Sequence, residues 1–341
     1  MKAMLLKQLT SLLENDRPLA EADVPEPEPA AGEILVRVNA CGVCHTELDE
    51  IEGRTPPPQL PVVLGHEVIG TVAACGAGTA RFDVGARVGV GWIHSACGEC
   101  PACRAGNENL CPDFRATGRD ANGGYAEYLT IPEASAYPIP DVFTDAEAAP
   151  LLCAGAIGYR SVRLADLHDG SSLGLVGFGG SAHLVLQMVR HRTPNCRVYA
   201  FSRNEGERRF ARELGAVWAG GIDAECPEKL DRIIDTTPVW RPIVFALANL
   251  APGGRLIINA IRKEDADKDA LLALDYPTHL WLEKEIKSVA NVCRRDCAEF
   301  LELAAEIPLR PEVQEFSLTE ANRALVELKR GGLRGAKVLL T

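Results

Sequence analysis

Residues 1–90 alternate short apolar runs with turn residues. GEILVRVNACGV, VIGTVAACG and GARVGVGW are rich in Val, Ile and small residues and are bounded by Gly and Pro. Such runs predict strands, and together an all-β body. The Pro-rich VPEPEPAAGE predicts an exposed turn. Near residue 145 the pattern changes. DAEAAPLLCAGAIGYRSVRLADL has apolar residues at helical spacing and an Asp near its start, which predicts one helix. SLGLVGFGGSAHLVLQMVRHR reads as a buried strand, a glycine turn and a helix, and CRVYAFSRNEGERRFARELGA repeats strand, turn and helix. DRIIDTTP and GGRLIINAI supply further strands. Strands alternating with helices predict a parallel, doubly wound sheet. From about Lys287 the tail holds helices in AEFLELAAEI and LTEANRALVELKRG and a last strand in AKVLL, and it is expected to return to the β body. The expected division is therefore 1–149 and 288–341 as one domain, with 150–287 inserted as a nucleotide-binding domain. There is no internal repeat.

A chain of 341 residues exceeds one typical domain, in keeping with that division. No apolar run approaches the roughly 18–20 residues of a membrane span. The opening MKAMLLKQLTSLLEND has only a short apolar patch, interrupted by Lys7 and Gln8, and lacks the features of a secretory signal. The formal charge of -11 and the absence of a basic groove speak against nucleic acid and anionic membranes as partners. Twelve cysteines without an export signal point to a reducing, cytoplasmic setting, where cysteines serve metals more often than disulfides.

Cys97, Cys100, Cys103 and Cys111 form a C-x2-C-x2-C-x7-C cluster in a stretch rich in Gly, Ala and Pro, without apolar periodicity. Four thiolates on a tetrahedral zinc at about 2.3 Å would hold such a segment, which cannot hold itself by packing. Four protein sulfurs leave no open position, so this zinc would be structural. A second set is scattered: Cys44 in CGVCHTE, His66 in LGHEV and Cys153 in PLLCAG. Taken singly, each has a bland alternative as a buried thiol or a satisfied core histidine. Taken together, two thiolates and an imidazole leave one tetrahedral position free for water or an alcohol oxygen.

LVGFGGSA places Gly177, Gly179 and Gly180 between a strand and a helix, with Ala182 in the place of a third glycine. Glycines there let the backbone approach a pyrophosphate at the helix N-terminus. The next strand ends VYAFSRNE. Ser202 stands where an NAD site carries Asp or Glu, and Arg203 follows, a charge pattern that favours NADP. Glu205 keeps NAD open.

CGVCHTE, GHE, the four-cysteine loop, GGYAEY and PLLCAG occur in this order over nearly the whole chain. In this the sequence resembles the zinc-dependent alcohol dehydrogenases of the medium-chain dehydrogenase/reductase superfamily, especially the bacterial propanol-preferring branch. The resemblance implies an α/β protein with a GroES-like, β-rich catalytic domain and a Rossmann domain, holding two zincs per chain. It implies reversible hydride transfer between a primary aliphatic or aromatic alcohol and NAD(P), giving the aldehyde. It also implies a homodimer or homotetramer joined through nucleotide-domain sheet edges, for which GGRLIINAI is the expected edge strand.

By the same resemblance Cys44, His66 and Cys153 bind the catalytic zinc, Cys41 does not, and Glu67 lies close to the metal. Glu47 replaces the usual Asp that holds the ligand histidine through its other ring nitrogen. Thr46 accepts the substrate proton and passes it through the cofactor ribose. Asp49 stands where many relatives place a relay histidine, so either it serves as a weaker base or water takes the proton. Trp92 matches a substrate-side aromatic, or is an ordinary core residue. Thr55 is the nearest match to a second pocket tryptophan of some relatives. Cys293 and Cys297 are expected as free thiols. His168, His183 and His191 are expected at the surface or in packing, with His183 near enough to the glycine turn to approach a cofactor. Two rivals are a reductase of enals, ketones or quinones and a non-enzymatic nucleotide-binding protein. The intact Cys44, His66 and Cys153 set weighs against zinc-free reductases and against a protein that has lost its activity.

Overall fold

Val- and Ile-rich runs between glycines become strands through the first part of the chain, as their alternation requires. The structure, a computed structural model, describes residues 1–307, 309–331 and 335–341. These fall into two units, Met1–Cys153 with Val292–Thr341, and Ala154–Asn291.

In the first unit, β1 (Lys2–Leu6) pairs with β2 (Leu19–Asp23), and β3 (Glu33–Val43) is the spine of a seven-stranded sheet. Helix α1 (His45–Ile51) follows β3 directly, and β4 (Val62–Val63) joins β1. β5 (Val68–Cys75) and β6 (Arg87–Val90) extend the sheet antiparallel from β3. β7 (Ile93–Ser95) and β8 (Arg115–Ala116) form a separate pair enclosing the short helix α2 (Pro101–Arg104). β9 (Tyr128–Pro132) pairs with the first half of β3, and β10 (Ala136–Pro138) closes one edge on β6. Ile34, Val36 and Val38 alternate from β3 into a core shared with Leu64, Val68, Val88 and Tyr125.

The predicted single helix from Asp145 is broken. It consists of α3 (Asp145–Ala148), a 3-10 turn over Ala149–Leu152, and α4 (Ala154–Ala165). Pro150 has no backbone N–H and its ring crowds the preceding turn, so the α-helix cannot run through it. The break leaves Cys153 outside both helices, with φ -119° and ψ -76°.

The second unit is a six-stranded sheet, parallel throughout: β11 (Ser172–Val176), β12 (Arg197–Phe201), β13 (Trp218–Gly220), β14 (Leu230–Asp235), β15 (Leu250–Ile258) and β16 (Glu285–Ser288). Helices α5 (Ala182–Arg192), α6 (Glu205–Glu213), α7 (Arg241–Asn249) and α8 (Tyr276–His279) lie between strands. The spatial order β13-β12-β11-β14-β15-β16 reverses direction between β11 and β14, which is where such sheets bind ligands at their carboxyl ends. GGRLIINAI lies in and just beyond β15, an interior strand. The edge is β16, whose EIKS is too short and polar to stand out as a strand pattern.

The tail holds α9 (Arg294–Glu306), β17 (Val313–Ser317), α10 (Ala321–Arg330) and β18 (Ala336–Leu340). β18 returns to the first sheet, antiparallel to β3, with Val338 opposite Gly42. No described helix is long and apolar enough to cross a membrane.

Candidate active site and metal centres

Cys44 caps the N-terminus of α1. Its backbone N–H donates to Glu47 Oε2 at 2.8 Å, as in a capping box. The other oxygen of the same carboxylate lies 2.6 Å from His66 Nδ1, and both side chains are buried. One fully enclosed carboxylate therefore fixes two residues that lie far apart in the chain. A proton on Nδ1, drawn to the Glu47 carboxylate, would leave the Nε2 lone pair on the other side. That Nε2 is buried without a hydrogen-bond partner among the described residues.

Cys44 Sγ and Cys153 Sγ are 3.7 Å apart. Two sulfurs on a tetrahedral zinc with bonds of about 2.3 Å sit about 3.8 Å apart. Donor atoms of Cys44, His66, Glu67 and Cys153 all lie within 4.8 Å of one another. The Cys153 sulfhydryl and His66 hold the Cys44 thiol well below its ordinary range, despite burial. An orphaned imidazole nitrogen facing two sulfurs at zinc spacing fits a metal ion. Glu67 reaches the group past Gly42, where any side chain would begin 1.9 Å from Glu67 Oε2.

The four-cysteine cluster has its sulfurs similarly spaced, with Cys97 to Cys103 at 3.9 Å and Cys97 to Cys111 at 3.5 Å. Backbone N–H groups point at sulfur: Cys100 N–H to Cys97 Sγ at 3.3 Å and Cys103 N–H to Cys100 Sγ at 3.4 Å. The N–H groups of Glu99 and Cys100 pull the Cys97 thiol down to about 7. Such donors stabilise thiolates, the form a metal takes. The base of the loop is tied to the start of α9 by Cys293 Sγ, which donates to Asn109 Oδ1 at 3.0 Å, and by Arg294 to Glu108 at 3.8 Å. Cys293 and Cys297 are buried and are not in disulfides.

In the second unit, Gly177 has φ +79°, and a side chain there would begin 2.7 Å from Thr236 Oγ1. Gly179 and Gly180 are exposed, with open space where their side chains would stand. They lead into α5, whose N-terminus has no side-chain cap, because Ser181 Oγ donates instead to Ala154 O at 2.9 Å. An open glycine cradle before uncapped helical N–H groups fits a pyrophosphate. His183 braces this turn, its Nδ1 3.1 Å from Gly179 O, while His168 and His191 lie at the surface.

Residues 30–141 match the alcohol dehydrogenase GroES-like domain family. The probable alcohol dehydrogenase AdhA of Mycobacterium tuberculosis is 42% identical over 328 residues, 95% of this chain and 93% of that protein. The chain belongs to the zinc-dependent alcohol dehydrogenases. Among solved structures, a cinnamyl alcohol dehydrogenase of Sorghum bicolor aligns with a TM-score of 0.83 at 26% identity, over 99% of this chain and 96% of that one. An acetophenone reductase of Geotrichum candidum in complex with NAD aligns at 0.84 and 27%, over 100% and 98%. This alcohol dehydrogenase thus has the GroES-like and Rossmann architecture of the medium-chain superfamily. It is an oxidoreductase that uses zinc and a nicotinamide cofactor to interconvert alcohols and aldehydes.

The remaining predicted residues of the dehydrogenase fall around these centres unevenly. Trp92 packs against His66 in a T-shaped arrangement, with ring centroids 5.0 Å apart at 83°. Thr46 Oγ1 lies 3.6 Å from Cys44 Sγ. Asp49, one turn along α1, takes a 2.5 Å bond from Arg54 Nε. Its carbonyl accepts from the N–H of Thr55 at 3.1 Å, and Thr55 Oγ1 is buried without a partner among the described residues. At the end of β12, Ser202 is buried. Its hydroxyl donates to Glu207 Oε2 at 2.5 Å and accepts from Asn204 N–H at 3.1 Å, so it holds the turn. Arg203 is exposed and has no ion-pair partner among the described residues. Glu205 is engaged by Arg208 and by Arg212, the latter at 3.1 Å.

Sequence reasoning missed Glu50. It is buried, neither carboxylate oxygen has a hydrogen-bond partner among the described residues, and burial followed by Glu47 pushes its carboxyl well up. Its spacing one turn after Glu47 was the available signal, but α1 looks polar enough to be a solvated helix.

Proposed function

We infer that this enzyme catalyses NADP-favouring interconversion of primary alcohols and aldehydes at a zinc held by Cys44, His66 and Cys153, and that Cys97, Cys100, Cys103 and Cys111 hold a second, structural zinc. The observation that carries the reading is the orphaned His66 Nε2 beside the 3.7 Å sulfur pair. A zinc bound there supplies a Lewis acid that lowers the pKa of an alcohol hydroxyl and polarises a carbonyl, while nicotinamide accepts or donates the hydride. Glu47 locks the imidazole in the tautomer that ligation needs, and Trp92 restricts how the ring can turn. Glu67, whose carboxylate lies within 4.8 Å of the other three donors, would serve as an exchangeable ligand. Thr46 takes the substrate hydroxyl proton. Asp49, anchored by Arg54, lies one helical turn further along as the next acceptor. Trp92 and Thr55 border the substrate. The unit Met1–Cys153 with Val292–Thr341 would be the catalytic domain and Ala154–Asn291 the nucleotide domain, each boundary a few residues beyond the 149/150 and 287/288 expected from the sequence. Twelve cysteines, none in a disulfide, suit a cytoplasmic protein.

Gly177, Gly179 and Gly180 receive the pyrophosphate. NADP is favoured because the carboxylates nearest the ribose end are already engaged, Glu205 by two arginines and Glu207 by the Ser202 hydroxyl, whereas exposed Arg203 can meet a 2′-phosphate. Ser202 supports this turn and does not itself clamp the phosphate. The test is oxidation of NADPH and of NADH by the zinc-loaded enzyme with butanal and benzaldehyde. NADPH is expected to be preferred. Arg203→Ala is expected to lower kcat/KM for NADPH roughly tenfold or more and to leave NADH nearly unchanged, the loss of one charge-assisted phosphate contact. An NADH preference in the wild type would assign the enzyme to NAD.

The proposed assembly is a homodimer, or a tetramer of such dimers, joined edge to edge through β16. The support is an unpaired edge strand, exposed along its whole length, continuous with exposed Tyr276, Trp281, Leu282 and Ile286. Light scattering of the eluting protein is expected to give at least twice the chain mass of 36.7 kDa. Trp281→Glu with Ile286→Lys is expected to bring it to the monomer mass. A wild-type monomer sinks the proposal.

A further inference from the structure

The carboxyl ends of β11 and β14 frame the crevice where the strand order reverses. The loop after β14 is pinned to the glycine turn by Thr236. Its N–H donates to Val176 O at 2.9 Å, and its hydroxyl donates to the same carbonyl at 3.1 Å. The other side of that loop is held from the segment after β15. Lys263 Nζ donates to Asp235 Oδ2 at 2.5 Å, to Thr237 O at 2.7 Å and to Val239 O at 3.0 Å. An ammonium has three N–H bonds to give, and all three are used here. Both side chains are enclosed, Lys263 at 7% exposure and Asp235 at 0%. Asp235 Oδ1 in turn accepts from the Thr237 hydroxyl at 2.7 Å, and Glu264 N–H donates to Pro238 O at 2.7 Å.

A buried ion pair is a poor source of stability, because desolvating two charges offsets most of their attraction. What this pair does supply is shape. It ties two backbone carbonyls and a carboxylate into one rigid corner beneath the crevice. We propose that Lys263 is a positioning residue for the nicotinamide dinucleotide, holding the β14–α7 loop against the glycine turn so that the two walls of the crevice keep a fixed separation. The proposal rests on the glycine turn being the pyrophosphate cradle. Arg203, at the end of β12, lies on the opposite side of β11 from this corner. The adenine half of the cofactor is therefore insensitive to Lys263, and the loss falls on the half that crosses the crevice.

The test is equilibrium binding to the zinc-loaded enzyme without alcohol. NADPH is titrated by its fluorescence, and adenosine 2′,5′-bisphosphate, which lacks the nicotinamide half, is measured by calorimetry. Lys263→Met is expected to weaken NADPH roughly tenfold and to change the bisphosphate by less than about twofold, as expected from losing one or two positioning hydrogen bonds. Since Lys263→Met leaves Asp235 buried and unpaired, Asp235→Asn with Lys263→Met is measured too. That pair removes both charges, is expected to melt within a few degrees of wild type, and is expected to keep the NADPH-selective loss because the two carbonyls remain unheld. Unchanged NADPH affinity in the double variant, or equal weakening of both ligands, overturns the proposal. NADH is titrated alongside, and a wild-type protein that binds neither NADPH nor NADH overturns the cradle reading and the role of Lys263 with it.

Discussion

Cys44→Ser is expected to remove one zinc per chain and to lower alcohol oxidation at least about a thousandfold, since the Lewis acid contributes several kcal/mol to the reaction and each 1.4 kcal/mol is about a factor of ten. The reason lies in how the site is built. Cys44 is both a candidate ligand and the cap of α1, with Glu47 accepting from its N–H and lying 2.6 Å from His66 Nδ1. Serine keeps the backbone bond and the cap while losing the soft thiolate, so the fold persists and the metal leaves. Zinc per chain by plasma mass spectrometry is expected to fall from two to one, and NADPH binding is expected to stay within about twofold of wild type, because the glycine turn is untouched. A variant that retains both zincs and most of its activity would falsify the ligand assignment.

The second large effect is expected at the four-cysteine loop. From Ser95 to Asp113 only Cys111 is buried, and Leu110 stands 57% exposed. Nothing apolar holds this lobe, so its order depends on the sulfurs and whatever binds them. Cys103→Ser is expected to release the other zinc, leave the active-site zinc in place and lower the melting temperature by at least about 10 °C, at a few degrees per kcal/mol for a chain of this size. The damage is expected to spread to α9, whose start is bonded to Asn109 and Glu108 of the lobe. Hydrogen exchange is the discriminating readout. Faster exchange confined to residues 95–113 and the first turn of α9 supports this account, whereas an unchanged melting temperature with one zinc lost shows that packing alone holds the loop.

Both candidate donor sets were legible in the sequence because of the cysteine spacing and the motifs around Cys44, His66 and Cys153, and the fold brings each set together. The glycine turn was legible because its placement between strand and helix reads locally. Glu47 was legible as a carboxylate in the right motif, but not as one that would use both oxygens on two different partners. Ser202 and Arg203 looked alike as phosphate-binding candidates. Only the fold separated them, by bonding Ser202 to Glu207 while Arg203 stayed in solvent. Glu205 looked available for a ribose until Arg208 and Arg212, one and two turns on, claimed it.

By itself, the sequence determined what is set by residue type and local spacing: the β-rich and α/β halves, two sets of candidate metal donors and a glycine turn between strand and helix. The tertiary structure decided what depends on groups far apart in the chain. It broke the helix at Pro150 so that Cys153 could stand 3.7 Å from Cys44, and it moved the sheet edge from β15 to β16. It also buried Glu50 without a hydrogen-bond partner among the described residues and closed Lys263 onto Asp235. Periodicity records which face of an element is apolar. It carries no record of which distant charge will meet which, because that pairing is settled only when the chain packs and the water between the partners is gone.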